Sequence, residues 1–148
     1  KSYLHLRSTI LFMTTKIIEI TADETLPIRH QVMWPTKPLD YVKLNNDNEG
    51  LHFGLYIDKK LISVISLFIN DGEAQFRKFA TLENYQGKGY GSILLNEIMQ
   101  IADKQSLKRI WCNARRNKSE FYKKFGLVAT NTIFIKGDVD YEIMERIF

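Results

Sequence analysis

QGKGYG, residues 86–91, is the stretch of sequence that decides the fold of this chain. It lies between Ala74–Leu82, a run typical of a β-strand, and an apolar run typical of an α-helix. Glycines in such a loop let the backbone approach a ligand, and the free amides at a helix start attract an anion such as a phosphate. A dinucleotide-binding loop would need a third glycine where Ser92 stands and an acidic residue where Lys108 and Arg109 stand. The P-loop pattern is also missing, and a tight connection that binds no ligand remains the structural alternative.

The residues after the loop predict a long helix, a strand and a second, shorter helix. Lys108–Asn113 predicts the strand, and the spacing of Asn117 and Glu120 is typical of a capped helix start. Gly126 suits a left-handed cap at the end of that helix. The apolar side chains of the long helix recur at helical spacing over about four turns: Ile93, Leu94, Leu95, Ile98, Met99, Ile101 and Ala102.

The beginning of the chain predicts a strand followed by a helix. Ile17–Ile20 is rich in β-branched residues, and Thr21 and Glu24 have the spacing of a capping box. Pro27 fits the first turn of a helix better than its middle, so this helix either begins late or is kinked there. Trp34-Pro35 marks its end.

The remaining segments predict antiparallel strands and one irregular stretch. Residues 36–50 are polar and predict a loop or a broken helix. Leu51–Ile57 and Leu61–Ile69, with the strand before the glycine loop, predict an antiparallel meander. Val128–Ile135 and Tyr141–Phe148 predict a final hairpin.

Length and composition favour one ordinary globular domain. The chain has 148 residues, 45% of them hydrophobic and 26% charged, which excludes a multidomain assembly and a disordered chain. The formal net charge of +4 favours anionic partners only mildly. Cys112 is the single cysteine, so no internal disulfide can form and a cytoplasmic protein is expected. No window approaches the run of about 18 apolar residues that a membrane helix needs. We expect residues 1–12 to be a leader from start-site choice, with Met13 as the physiological start.

Two motifs resemble those of the GNAT family of N-acetyltransferases. The family's glycine motif Q/R-x-x-G-x-G/A is matched by Gln86, Gly89 and Gly91. Its short-helix motif F-Y-x-x-x-G-F is matched by Phe121–Gly126, with Leu127 in place of the last Phe. The resemblance implies an α/β fold over residues 13–148, a single domain whose mixed, mostly antiparallel sheet of about six or seven strands is flanked by helices.

The resemblance also implies where acetyl-CoA, the acetyl donor, binds. In such enzymes the pyrophosphate lies on the backbone amides of the glycine loop, at the positive end of the helix dipole. The pantetheine arm pairs with main-chain groups of the preceding strand. No metal is expected. Carried over to this sequence, the cofactor-binding residues are Phe79, Ala80, Thr81, Gln86, Gly87, Lys88, Gly89, Tyr90, Gly91, Ser92 and Asn113.

Tyr122 matches the family's general acid, which protonates the departing CoA thiolate. A phenol with a pKa of about 10 is protonated at neutral pH and can donate a proton. The alternative is an aromatic side chain that only packs on an amphipathic helix. Many relatives carry Asn seven residues before this tyrosine, where this sequence has Arg115. Asn113 can supply a hydrogen bond nearby or can serve only in a turn.

The acceptor side of the reaction is less defined by the sequence. Candidate general bases are His30, His52, Glu73 and Glu83, each of which is also an ordinary structural residue. The family resemblance implies that Arg29–Leu44 walls the acceptor pocket, with an aromatic contribution from Trp34, Pro35 and Tyr41. Cys112 lies in an apolar strand, which indicates packing rather than a nucleophile. Five basic residues around the short helix form either a solvated face or a site for the 3′-phosphate of CoA: Arg115, Arg116, Lys118, Lys123 and Lys124.

Together these features predict an enzyme that moves an acetyl group directly from acetyl-CoA to a primary amine. The acceptor is a small molecule or a peptide amine. The alternative is a non-catalytic acyl-CoA-binding or regulatory module. Such a module would need the glycine loop but not Tyr122. No nucleic-acid or membrane partner is expected. The final hairpin, ending in Ile143, Met144, Ile147 and Phe148, suits a homodimer contact.

Overall fold

The computed structural model describes residues 14–148. The expected leader at 1–12 and the expected start at Met13 lie outside the described residues. Within 14–148, none of the helices combines the length and apolarity that crossing a membrane requires.

The described residues form one seven-stranded sheet and three α-helices, which confirms the predicted fold class. The strand order is β1-β2-β3-β4-β5-β7-β6, and among the strand pairs within residues 14–148 only β4–β5 is parallel. The strands are β1 Thr15–Ile20, β2 Leu51–Ile57, β3 Lys60–Asn70, β4 Glu73–Thr81, β5 Arg109–Arg115, β6 Val128–Lys136 and β7 Val139–Ile147. The helices are α1 Ala22–Met33, α2 Tyr90–Lys104 and α3 Ser119–Lys123.

The helices divide over the two faces of the sheet. The apolar stripe of α2 is buried and forms the larger core with inward residues of β2 to β5, among them Ile65 and Phe76. Tyr122 and its neighbours on α3 pack against this same core. On the other face, α1 contributes Ile28 to a smaller core with Val64 and Ala80. Burial of these two faces holds the layers together.

Helix α1 begins with the predicted capping box. The Glu24 amide donates to Thr21 Oγ1 at 3.2 Å, and the Thr21 amide donates to Glu24 Oε1 at 2.9 Å. Because this cap fixes the start at Ala22, the expectation of a late start at Pro27 is wrong, and the proline lies inside the helix. The helix ends at Met33, as Trp34-Pro35 predicts.

Residues 36–50 form two 3₁₀ turns, Leu39–Val42 and Asp47–Glu49, in agreement with a broken helix. A buried ion pair fixes this segment to the sheet. The fully buried Arg29 guanidinium donates to both carboxylate oxygens of Asp47 at 2.9 Å and to Ser66 Oγ at 2.8 Å. His52 joins the network, with Nδ1 2.7 Å from Ser66 Oγ and Nε2 2.7 Å from the Asp47 carbonyl oxygen. The network gives the segment a fixed position despite its irregular backbone.

The predicted side-chain cap at the start of α3 is wrong. Asn117 lies inside a 3₁₀ turn, Arg116–Lys118, so the residue at the cap position is Lys118, and no side chain caps the helix. Ser119 Oγ donates instead to the Arg116 carbonyl oxygen at 3.0 Å. The predicted left-handed residue after α3 is confirmed, since Gly126 has φ +84°.

Strand β4 contains an irregularity that positions the site. Its register against β3 shifts between Ala80, which pairs with Val64, and Arg77, which pairs with Ser66. Two residues of β4 therefore lie opposite one residue of β3, which is a β-bulge. Lys78 is in the bulge with φ +54°, a left-handed conformation that is costly for a residue with a side chain.

Candidate active site

A notch opens between β4 and β5. The two strands pair over only three residues, from Glu73 opposite Arg109 to Gln75 opposite Trp111. Beyond this point β4 continues to Thr81, and no residue from 14 to 148 pairs with it on its β5 side. The unpaired backbone of Phe79–Thr81 can therefore bond an extended ligand as an added strand would.

The glycine loop lies where β4 ends, at the start of α2. Gly87 and Gly89 have φ of +73° and +88°, and a Cβ added at either residue would meet no atom within 4 Å. Gly91 differs, because a Cβ there would lie 3.2 Å from Phe79 Cζ. The first amide of α2 bonded within the helix is that of Ile93, which donates to the Gly89 carbonyl oxygen at 3.1 Å. The earlier amides line an open surface at the positive end of the helix, which is the chemistry that phosphate groups require.

Several side chains hold this loop in place. Gln86 Nε2 donates to the Thr81 carbonyl oxygen at 2.8 Å, so the Gln86 side chain bonds the protein's own backbone. Thr81 Oγ1 lies 2.8 Å from Ser63 Oγ, and Ala80 is buried in the smaller core. Of the other predicted binding residues, Lys88 lies in the loop, and Tyr90 and Ser92 lie in the first turn of α2.

Positive charge accompanies these amides. The ammonium groups of Lys60 and Lys88 lie 5.3 and 6.0 Å from the centre of the Tyr85 ring. The Tyr85 ring in turn meets the Tyr90 ring at 6.2 Å. Cations beside unpaired amides add to the attraction for an anionic ligand.

Tyr122 packs against β4 close to the point where β4 and β5 separate. Its ring is 5.8 Å from that of Phe76, the first β4 residue beyond the last β4–β5 pair. Burial raises the pKa of the Tyr122 phenol above its usual range, and the Cys112 thiol on β5 acts in the same direction. The Arg115 guanidinium acts in the opposite direction. The phenol therefore carries its proton throughout the neutral range.

Two β5 residues considered in the sequence analysis, Cys112 and Asn113, lie on opposite faces of the strand. Cys112 is buried in the larger core, and burial raises the pKa of its thiol to about 12. It is an unreactive packing residue, as the sequence predicts. Asn113 is exposed on the opposite face of the strand, beyond the last pair with β4.

Three of the four candidate general bases are held by structural contacts. Both ring nitrogens of His52 have partners in the buried network, and His30 Nε2 lies 2.6 Å from the Lys37 carbonyl oxygen. Glu73 accepts from Arg109 at 3.1 Å, at the paired end of β4 and away from the notch. Glu83 is exposed in the turn between β4 and the glycine loop.

The segment that follows α1 presents an aromatic surface. The Trp34 and Tyr41 rings meet edge to face at 5.3 Å, and Tyr41 is half exposed. A shallow cleft of about 270 Å³ lies between α1 and the turn after β4, where Gln31 and Glu83 line it. In the described part of the chain, no cluster of three or more His, Cys, Asp or Glu side chains is arranged to hold a metal ion.

Sequence reasoning missed Arg77, Lys78 and the Arg29–Asp47 pair. The bulge had a signal in the sequence, because Phe76 and Phe79 both face the larger core although they are three residues apart. A regular strand returns to the same face every second residue, so a spacing of three indicates an inserted residue. The Arg29–Asp47 pair joins residues 18 positions apart, and no local pattern signals such a contact.

Comparisons with known proteins agree with this geometry. The pattern of the acetyltransferase (GNAT) family matches residues 16–127. The uncharacterized N-acetyltransferase YitI of Bacillus subtilis is 30% identical over 116 residues, covering 72% of this chain and 78% of that protein. An uncharacterized N-acetyltransferase of Shouchella clausii is 32% identical over 94 residues, and the match covers 56% of this chain and only 54% of that longer relative.

Solved structures share the fold at low sequence identity. The PaiA N-acetyltransferase of Thermoplasma acidophilum, in complex with coenzyme A, has a TM-score of 0.69 and 22% identity, over 92% of this chain and all of that one. A GNAT family acetyltransferase of Elizabethkingia anophelis with acetyl-CoA bound has a TM-score of 0.71 and 16% identity, over 90% and 98% of the two chains. These likenesses show the fold.

The fold and the notch are those of an acyl-CoA-dependent transferase. The chain belongs to the acetyltransferase (GNAT) family, and its chemistry is the transfer of an acetyl group from acetyl-CoA. The residues present fit that donor, because open amides at Gly87 and Gly89 suit its phosphates and the unpaired end of β4 suits its extended arm.

Proposed function

We propose that this chain transfers the acetyl group of acetyl-CoA directly to a primary amine, with Tyr122 as the general acid. The observation that carries the proposal is the buried, protonated Tyr122 phenol at the point where β4 and β5 separate. Acetyl-CoA supplies the activated acetyl thioester. Loop amides from Gly87 to Ser92 hold its phosphates, and main-chain groups of Phe79–Thr81 hold its arm.

Tyr122 completes the reaction by donating its proton. As the amine nitrogen bonds to the acetyl carbon, the carbon–sulfur bond breaks and negative charge develops on sulfur. Tyr122 Oη gives its proton to that sulfur, and the nitrogen loses a proton to the solvent side of the notch. Burial keeps the phenol protonated, while Arg115 supplies positive charge where the phenolate forms.

Thermal unfolding with and without acetyl-CoA tests the binding half of this proposal. A ligand at about a hundred times its dissociation constant adds roughly 2.7 kcal/mol and raises the midpoint by about 5 to 10 °C at this size. ATP and NADH serve as controls and should give no shift. A folded protein that acetyl-CoA leaves unchanged contradicts the proposal.

Tyr122→Phe tests the catalytic half. We expect kcat to fall by about a hundredfold while acetyl-CoA affinity changes by no more than about twofold, because only the proton donor is removed. Release of CoA thiol measures turnover, and calorimetry measures binding. Tyr56→Phe is the matched control, since Tyr56 is a half-buried tyrosine that packs on the smaller core. Equal kcat values in the two variants would exclude Tyr122 as the acid.

We further propose a cytoplasmic homodimer. Support for dimerisation comes from the edge strand β6 and the neighbouring end of β7, where four side chains of the described chain are exposed and apolar: Val128, Ile133, Ile135 and Ile147. Sedimentation equilibrium measures the molecular mass, and a monomer at all concentrations would contradict the dimer.

A further inference from the structure

Two cations on the open part of β4, Arg77 and Lys78, have no side-chain partner among the residues that the structure describes. Arg77 and Lys78 follow Gln75, the last β4 residue paired with β5. Both side chains are half-buried, and neither forms an ion pair or a hydrogen bond with any residue from 14 to 148. The other buried or half-buried arginines of residues 14–148 have partners: Arg29 pairs with Asp47, Arg109 pairs with two glutamates, and Arg146 donates to the Phe125 carbonyl oxygen.

Arg77 lies on the face of the sheet that α1 covers, the side on which the family resemblance places the acceptor pocket, and Lys78 is in the bulge next to it. Ala74 and Phe76 face the larger core beneath α2, so Arg77, the next residue in the alternation, faces α1 and the segment after it. Lys78 lies in the bulge, where the positive charges of Arg29, Arg77 and Lys136 act on it. Tyr122 lies on the opposite face, against Phe76.

This arrangement is unfavourable in the protein alone. Burial lowers the pKa values of Arg77 and Lys78, and neighbouring positive charges lower them further. Lys78 also has a left-handed backbone. The negative charge of Asp47 acts on both cations and opposes the lowering of their pKa values. Asp47 already accepts two hydrogen bonds from Arg29 and one from the Leu44 amide. Unpaired, partly desolvated charge at strained backbone is typical of a site that awaits a ligand.

We propose that Arg77 and Lys78 bind an anionic group of the acceptor, so that the preferred acceptor is an amine that also carries a carboxylate or a phosphate. The inference rests on the proposed acetyl transfer and names the class of its substrate. Two adjacent cations match the charge and the several acceptor atoms of either group.

The test compares amines that differ only in the anionic group. β-Alanine is set against β-alaninamide and phosphoethanolamine against ethanolamine, with spermidine as a polycation, and CoA release gives kcat/KM for each. We expect the anionic member of one pair to be preferred by at least about tenfold. The pair that shows the preference identifies the carboxylate or the phosphate as the group bound.

The double variant Arg77→Met/Lys78→Met assigns the preference to these residues. We expect kcat/KM for the anionic amine to fall by at least about tenfold, with its neutral counterpart and the KM for acetyl-CoA little changed. Lys16→Met/Lys59→Met is the matched control, because it removes the same charge from exposed positions of β1 and the β2–β3 turn. The midpoint of thermal unfolding verifies that both variants are folded, and the single variants replace the double one if it is not.

The outcomes distinguish the inferred anionic acceptor from the proposed acetyl transfer on which it rests. Failure of the wild type to bind acetyl-CoA contradicts the proposed function. An enzyme that binds acetyl-CoA but acetylates no anionic amine, or prefers neutral amines or spermidine, overturns the anionic acceptor alone. Equal losses for the charged and neutral amines in the double variant also overturn it.

Discussion

The charged side chains at the two ends of β4 differ in whether they form ion pairs. At its start, beside β5, Glu73 and Glu145 both accept from Arg109, at 3.1 and 2.6 Å. At its end, Arg77 and Lys78 have no partner in the described chain, and the backbone has none on the β5 side. One end satisfies its own groups and joins the sheet, while the other leaves groups free for ligands. A single strand thus carries structural ion pairs at one end and the groups proposed to bind ligands at the other.

The largest expected effect is on the free energy of unfolding, and it comes from the buried Arg29–Asp47 pair, which packs near the open end of β4. Arg29→Met removes the hydrogen bonds of the guanidinium to Asp47 and Ser66, and breaking a buried ion pair costs about 3 to 5 kcal/mol. Urea unfolding measures the loss. Arg109→Met, at the paired end and partly exposed, is the matched control and should cost much less. Similar losses in the two variants would remove the distinction between the buried pair and the exposed one.

An intermediate effect is expected in the glycine loop. Gly89→Ala places a Cβ at a left-handed residue, on the surface assigned to the phosphates of acetyl-CoA. We expect a strain of about 1 kcal/mol and an acetyl-CoA affinity lower by about tenfold, measured by calorimetry. Gly137→Ala is the matched control, because Gly137 also has positive φ and open space at Cβ but lies in the β6–β7 turn. If both variants bind acetyl-CoA as the wild type does, the loop is a structural turn.

The smallest effect is expected at the paired end itself. Glu73→Gln removes one arm of an ion pair in which both side chains are partly exposed, so stability should change by less than about 1 kcal/mol. Turnover should stay at the wild-type value, since Glu73 lies away from the notch. A large loss of kcat would show that Glu73 acts in the reaction and that the two ends are not separate in function.

The sequence predicts those structural features that depend on residues close together in the chain. The glycine loop, the capping box at Thr21 and the turn at Gly126 are local patterns, and the structure has all three. The periodicity of α2 likewise predicts which of its faces is buried. Local pattern misled at Asn117, because a 3₁₀ turn moved the helix start beyond the reach of its side chain.

What the sequence did not predict depends on distant residues. The Arg29–Asp47–Ser66 network assembles three separate segments, so burial and pairing are visible only once they have folded together. The separation of β4 from β5 is also a property of two strands rather than of either one. The pairing of the Arg77 and Lys78 side chains likewise depends on segments distant in the chain, such as the one that carries Asp47, so local patterns left the acceptor side undefined.

The bulge at Lys78 adds one residue to β4 without changing the faces on either side of it. Phe76 and Phe79 both face the larger core although they are three residues apart, and Ala80 still reaches the smaller core. Deletion of Lys78 would leave Phe76 and Phe79 two residues apart, which is the regular spacing of a strand, so both would keep their face. The deletion would remove the left-handed residue and its charge while the glycine loop stayed on the same side of the sheet. The length of β4 can therefore change by one residue at this position without reorienting the donor side.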